Sequence, residues 1–362
     1  MIRYPHTVGF AVDSVRDKAR NNDGHSASCY LTVRLFAVLL AGWTALAGAA
    51  ETVGQQLQPV AHGLDFGGRV FDWGTAVAVH PSIRRTSFAV EKPRLMRGAC
   101  ARVDLTDPRL RYLVTGRDKD WGQPMPDYTN RPLRVRTRRQ TTRDFLLAAR
   151  RPVAEGGRGL NMLLAVNNAQ WLPWEKPFNH RYADNMSLVV SDGEMVSPPI
   201  GFPSFIVFRD GAVEFRNVTR DEALTNILHA VSGWGMILEN GTILKADTPE
   251  GAMPRTVFGL SEGKRYLYLY VVDGRQPEYS MGATPCEAAQ WMLYFGADSA
   301  MNMDGGGSAT LICWDPVPDP TNTDPKSKDT PNLHKLNHQE GNHERAVGCN
   351  LGFYFINNKE QP

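Results

Sequence analysis

The sequence predicts an α+β fold: a single domain with a mixed, largely antiparallel β-sheet core and a few packed helices. Three observations lead there. Asp192-Gly193, Asp210-Gly211 and Asn240-Gly241 each divide two strand-like runs, and such dipeptides supply the positive φ of tight hairpin turns. The 24 prolines and 33 glycines punctuate the chain too often for a helical bundle. Two segments carry a helix start signal, one after Thr141 and one after Thr284.

Residues 31–51 place Arg34 ahead of an apolar run that ends in small residues. That is the pattern of a secretory signal peptide, with cleavage after Ala49 or Ala50. The run is shorter than the ~20 residues of a membrane span. Residues 1–50 are therefore read as an extension and leader, and the protein as secreted or periplasmic. An uncleaved leader is the alternative and the one expected contact with a membrane. Residues 51–99 give little pattern before short strands begin near 84, and the main domain is expected over 100–356.

Beyond the leader remain Cys100, Cys286, Cys313 and Cys349. No CxxC spacing occurs, so no zinc site is expected. Cys313 and Cys349 lie in strand-like runs and are either a disulfide or buried thiols.

Residues 102–105 and 111–114 read as strands on either side of Asp107-Pro108. Residues 116–140 read as a long loop. Its RPLRVRTRRQ run, 131–140, is taken as a solvated basic face because no aromatic interleaves with the charges. Thr141 with Asp144 opens a helix that Gly156-Gly157 breaks, and Leu163-Leu164-Ala165-Val166 is a buried strand leading to Asn167. Residues 187–219 are strands and turns. YLYLYVV, 266–272, is a strong strand. Thr284-Pro285-Cys286-Glu287 is an N-cap with Pro at the first position, so Glu287 is assigned to its own helix cap; Gly296 ends that helix. The strand 299–303 follows. Helix, glycine break and strand thus occur twice, putting Asn167 and Asn302 at matching strand ends. Residues 314–342 read as a polar, mobile insertion, and 346–356 as the closing strand.

Net charge is +2, which gives no electrostatic footprint for nucleic acid, and none is expected as a partner. The chain has no Walker A spacing, no GxSxG and no HExxH, so no cofactor and no metal are expected. His229 stands in an apolar stretch and reads as structural; His334, His338 and His343 read as solvated loop residues. Polar side chains gather at strand ends: Asn167, Arg255, Asp273, Arg275, Asn302, Asp304 and Arg345. After Asp304 come Gly305, Gly306 and Gly307, a turn able to aim backbone N–H groups at an anion, with Ser308 and Thr310 as hydroxyl donors. Arginines can fork onto a phosphate; Asp273 and Asp304 suit sugar hydroxyls or acid–base work.

In order, Pro254-Arg255-Thr256-Val257-Phe258-Gly259, Val271-Val272-Asp273-Gly274-Arg275, Gly282-Ala283-Thr284 with Glu287, Ala300-Met301-Asn302-Met303-Asp304-Gly305-Gly306-Gly307-Ser308 and Glu344-Arg345-Ala346-Val347 resemble the phosphodiester glycosidase family. That family includes N-acetylglucosamine-1-phosphodiester α-N-acetylglucosaminidases and bacterial exopolysaccharide-related relatives. Ala165-Val166-Asn167 matches it, whereas Asn168-Ala169-Gln170-Trp171 departs from the small residue and aromatic pair usual there. The resemblance implies a hydrolase that cleaves the sugar C1–O bond of a sugar-1-phosphodiester or a polysaccharide bearing one. It implies Asp304 as first catalytic carboxylate and Asp273 as second. Arg255, Arg275 and Arg345 would hold the phosphate, Asn167 and Asn302 would bond sugar or phosphate, and Gly305, Gly306, Gly307, Ser308 and Thr310 would complete an anion nest. The alternatives are a non-catalytic glycan-binding protein and a metal-dependent phosphodiesterase.

Overall fold

The computed structural model describes residues 64–126, 128–175, 179–244, 251–318 and 330–356. The leader, residues 51–63 and part of the insertion lie outside these. Every strand pairing among the described residues is antiparallel, so the parallel component implied by a mixed sheet is absent there. One sheet has eight strands in the order Val77–His80, Ile83–Val90, Met96–Asp104, Tyr266–Val272, Arg255–Leu260, Ser299–Asn302, Gly235–Glu239 and Thr242–Ile243. A five-stranded sheet runs Leu333–Lys335, Leu311–Trp314, Met162–Asn167, Asn350–Phe355, Leu110–Val114. A second five-stranded sheet runs Glu194–Ser197, Val189–Ser191, Ile227–Ser232, Pro203–Phe208, Val213–Asn217.

The main core lies where these three sheets face one another. Leu267, Leu269 and Val271 meet Leu164, Val166, Leu351 and Phe353 there, with Phe205 and Val231. The alternate residues Tyr268, Tyr270 and Val272 pack on the other face of the same strand, against helix α2 (Pro285–Phe295) and Trp73. A strand buried on both faces has no polar alternation, which is why YLYLYVV is apolar throughout. Helix α1 (Thr142–Arg150) covers the first five-stranded sheet with Phe145, Leu146 and Ala149. Gly259 lets α2 sit close: a Cβ there would lie 2.9 Å from Ala297 Cβ and closer still to Met292.

The three predicted hairpin turns form, with φ positive at Asp192, Gly193, Gly211, Asn240 and Gly241. The short strands expected from about 84 form as Ile83–Val90 and Met96–Asp104; residues 64–82, with little pattern in sequence, add the edge strand Val77–His80, and Trp73 Nε1 donates to the Phe295 carbonyl at 2.8 Å. His229 is buried, and burial lowers its pKa to about 4.

Four expectations are corrected. The basic run is not all solvated: Arg139 is buried, donates to the Ala346 and His180 carbonyls, and lies over the Trp171 ring at 4.3 Å. Arginine can do this because its planar fork satisfies carbonyls while its face stacks on an indole. Cys313 and Cys349 form no disulfide. The strand Met162–Asn167 lies between the strand that holds Cys313 and the one that Cys349 immediately precedes, and two strand spacings of ~4.8 Å exceed the reach of an S–S bridge. The insertion includes the strand Leu333–Lys335, with His334 buried, and Asn337 and Gln339 are buried as well. The closing strand is shorter than read, Asn350–Phe355.

Glu287 completes a reciprocal capping box with Thr284 and also receives Arg94. It is fully buried. Glu287→Ala should therefore lower unfolding free energy by about 2–4 kcal/mol in urea titration, by losing a cap and stranding Arg94; Glu287→Gln, which keeps the cap acceptor, should cost less.

Candidate active site

Two antiparallel neighbours in the large sheet meet at one edge of it: Arg255–Leu260 begins where Ser299–Asn302 ends. Beyond Asn302 the chain leaves the sheet, and each step is tied down. The amide of Met303 donates to Thr256 O, that of Asp304 to Asn168 O at 2.8 Å, and that of Gly306 to Pro254 O at 2.8 Å. Asn167 braces the bend from below. Its Oδ1 accepts from Thr256 Oγ1 (2.7 Å) and from the Thr310 amide (3.0 Å), and its Nδ2 donates to the Asp304 carbonyl (2.7 Å).

The glycines are explained by what crowds them. A Cβ at 305 would lie 2.7 Å from the Pro254 carbonyl, and one at 307 would lie 2.5 Å from an Arg345 guanidinium nitrogen. Gly306 has φ +61°, and Arg275 sits against it. The bend thus brings two guanidinium groups flush onto backbone.

A cavity of ≈650 Å³ opens over this bend. Arg255, Arg275, Arg345, Asn302, Asp304, Gly305, Gly306 and Ser308 line it, together with Trp171, Trp174, Trp234 and Glu340. Arg255 is buried at the strand start and donates to Ala283 O (2.6 Å), Gly251 O (2.5 Å) and Asn302 Oδ1 (3.2 Å). These bonds use three of its five N–H groups. Burial lowers its pKa to about 10, still fully cationic at neutral pH. Arg275 is exposed, holds φ +62°, and has no hydrogen-bond or ion-pair partner among the described residues. Burial lowers the pKa of Arg345; Asp304 and Glu340 oppose that, and the like charge of Arg275 adds to it.

Asp304 is half-buried on this floor. Desolvation raises its pKa to about 6, against the Ser308 hydroxyl, the Arg345 charge, the Gly305 amide and the Trp171 indole, which all favour the carboxylate. The Trp171 N–H falls short of full hydrogen-bond geometry, so it remains a buried donor open to another acceptor. The result is a carboxylate that is charged near neutrality yet poorly hydrated, ringed by cations.

Several predicted residues do not meet there. Asp273 is buried apart, against a smaller cavity of ≈280 Å³ with Arg97 and Tyr279. It accepts from the Asn337 side chain and the His338 amide, both at 2.9 Å, and burial raises its pKa to about 7. It anchors the segment that delivers Glu340 and Arg345, and it does not line the main cavity. Asn167 and Thr310 are buried beneath the bend, their polar groups committed to holding it, so neither is placed to bond a ligand. The amide nest is also corrected: Gly306 and Ser308 donate to the Pro254 and Gly305 carbonyls, and the Gly305 amide serves Asp304. The positive charge in the cavity lining comes from the three guanidinium groups.

Sequence reasoning missed Trp174, Trp234 and Glu340 in the lining, and Asn337 and Gln339 behind it. The only signal was the unusual 168–171 run ahead of Trp174; the others lie in stretches with the composition of ordinary loops. A cavity of ≈850 Å³ beside α2 is larger, but it holds neither Asp304 nor any of the three arginines. Among the described residues, no group of three or more His, Cys, Asp or Glu is placed to hold a metal.

The family model for phosphodiester glycosidases matches residues 165–354, more than half of the chain. No curated protein sequence matches. Among solved structures, the chain is similar to the catalytic domain of zebrafish N-acetylglucosamine-1-phosphodiester α-N-acetylglucosaminidase, auto-inhibited by its pro-peptide: TM-score 0.50, 19% identity, 78% of this chain and 87% of that one. It also resembles a hypothetical protein from Synechocystis, with TM-score 0.46, 10% identity, and 76% and 62% of the two chains covered. The likeness to the zebrafish domain is one of fold. Through a matched segment that carries Asn167, Arg255, Asp304 and Arg345, the chain belongs to the phosphodiester glycosidase family.

Proposed function

We propose that the protein is an exported hydrolase that cleaves the sugar C1–O bond of a sugar-1-phosphodiester, releasing a sugar and a phosphomonoester. The observation that carries this reading is the one desolvated carboxylate, Asp304, in a cavity lined by three arginines. A phosphodiester enters as an anion, and Arg275, with no partner among the described residues, is the guanidinium group with the most to offer it, beside Arg255 and Arg345 in the same lining. Its leaving group is a phosphomonoester, stable as an anion, so no strong general acid is needed; the arginines take up the charge that develops on it. Asp304 faces C1 and stabilises or captures the oxocarbenium-like centre. Glu340, the other carboxylate lining the cavity, takes the role that Asp273 cannot fill, deprotonating the incoming water. Export is supported by the leader pattern at 31–50, outside the described residues; no described helix is long and apolar enough to cross a membrane.

Incubation with a panel of sugar-1-phosphodiesters in heavy-oxygen water tests the reaction. Label on the sugar C1 is expected. Label on phosphate would point to P–O cleavage, and binding without release to a glycan-binding protein. Asp304→Asn should lower turnover by at least ~100-fold in protein that stays folded.

The Asp304 pKa fixes two pH effects. Activity needs the carboxylate, so kcat/KM should rise with pH through an acidic limb near pH 6. For stability the sign is opposite. The folded-state pKa, about 6, exceeds the ordinary value of 3.8, so the folded protein holds this proton longer than the unfolded chain. Its contribution therefore falls as pH rises from about 4 to 6 and stays low above that. Asp304→Asn removes the penalty and should stabilise the protein at pH 7.5, by at most ~3 kcal/mol and less because the site keeps contact with solvent. A thermal melt of the two proteins at pH 4.5 and 7.5 measures it; an equal Tm difference at both pH values would contradict the assignment.

A further inference from the structure

The described tryptophans fall into three groups. Trp73, Trp121, Trp171 and Trp314 each carry an arginine over the ring, at 5.1, 3.8, 4.3 and 3.9 Å. Trp291 is buried among aromatic rings. Trp174 and Trp234 differ: they are 43% and 37% exposed, and among the described residues no cation lies over either. Both line the Asp304 cavity. Their centroids are 5.8 Å apart at 52°, and Phe202, outside the cavity lining, meets Trp234 edge-on at 5.8 Å. Aromatic surface therefore runs from the cavity out along its rim.

The Trp234 end of this row is tied to the site. The Trp234 amide donates to the Asn302 carbonyl at 2.7 Å, and the Gly233 amide to Pro203 O at 2.9 Å, next to Phe202. Gly233 allows the close approach, since a Cβ there would lie 2.6 Å from Asn302 O. Exposed indoles on a fixed backbone cost the free protein hydration without stabilising its core, which marks them for a ligand. The axial C–H face of a pyranose is apolar and slightly positive, and it stacks on an indole while its hydroxyls stay wet.

We propose that Trp174, Trp234 and Phe202 form a stacking platform for neutral sugar units on the phosphate side of the scissile bond, so that the preferred substrate is a sugar phosphate carried on a glycan chain. The inference rests on the glycosidase reading for its direction. Asp304 is deeper than the exposed indoles and must face C1, so the released sugar occupies the floor and the chain joined through phosphate leaves over the rim.

Two substrates test it: one sugar-1-phosphate esterified to methanol, and the same sugar-1-phosphate esterified to a neutral trisaccharide. The wild type should prefer the trisaccharide ester by about tenfold or more in kcat/KM, and Trp174→Ala and Trp234→Ala should each reduce that ratio severalfold. Equal rates on both esters, or an unchanged ratio in both variants, would overturn the platform. Titration of the phosphate-free trisaccharide against indole fluorescence separates the two readings. Binding lost in Trp174→Ala and Phe202→Ala, with no cleavage of either ester, would keep the platform and reject the glycosidase. No binding and no preference would reject the platform even where cleavage occurs. Phe202 lies outside the cavity, so its variant serves if an indole replacement fails to fold.

Discussion

A buried amide organises the reactive end of this protein. Asn167 ends one strand, and its side chain reaches a threonine on a second sheet, the backbone of the segment leaving the glycine bend, and the carbonyl of Asp304. Each bond is modest, but the two that Asn167 Oδ1 accepts are sealed from water, where an unpaired polar group costs ~1–3 kcal/mol. The three segments therefore move together or not at all. That constraint fixes the Asp304 carboxylate at the cavity floor, where the Arg345 charge favours its ionised form.

The same economy shows in the arginines. Arg255 is fixed by carbonyls, and Arg345 lies on Gly307. Arg275 projects from a left-handed backbone position toward Gly306. The like charges of Arg275 and Arg345 repel, which adds to the lowering of the Arg345 pKa. An anionic guest relieves the repulsion, so electrostatic preorganisation and ligand affinity have a common origin.

Much of this was legible in the sequence, for reasons that particular residues make plain. Turns such as Asp192-Gly193 are local chemistry, and Thr284 with Glu287 forms its cap within one helical turn. The Tyr266–Val272 strand is legible because its apolar run is unbroken. The Asp304 bend was legible because three adjacent glycines have few uses. Asp273 and Asn167 were misplaced for one reason: a polar residue at a strand end looks the same whether it faces a ligand or another loop. The partner that decides Asp273, Asn337, lies 64 residues away in a stretch with the composition of a solvated loop. Aromatic residues at 174, 202 and 234 come together only through tertiary structure, and no spacing rule links them.

The order of strands has a consequence for biogenesis. Asn350–Phe355 pairs with Met162–Asn167 on one side and Leu110–Val114 on the other, although it follows both by more than a hundred positions. Until it emerges from the ribosome, two inner edges stay unpaired and the sheet cannot close. Asn167, which braces Asp304, sits in one of those waiting strands and pairs with Asn350, so the bend gains its full support only with the last strand.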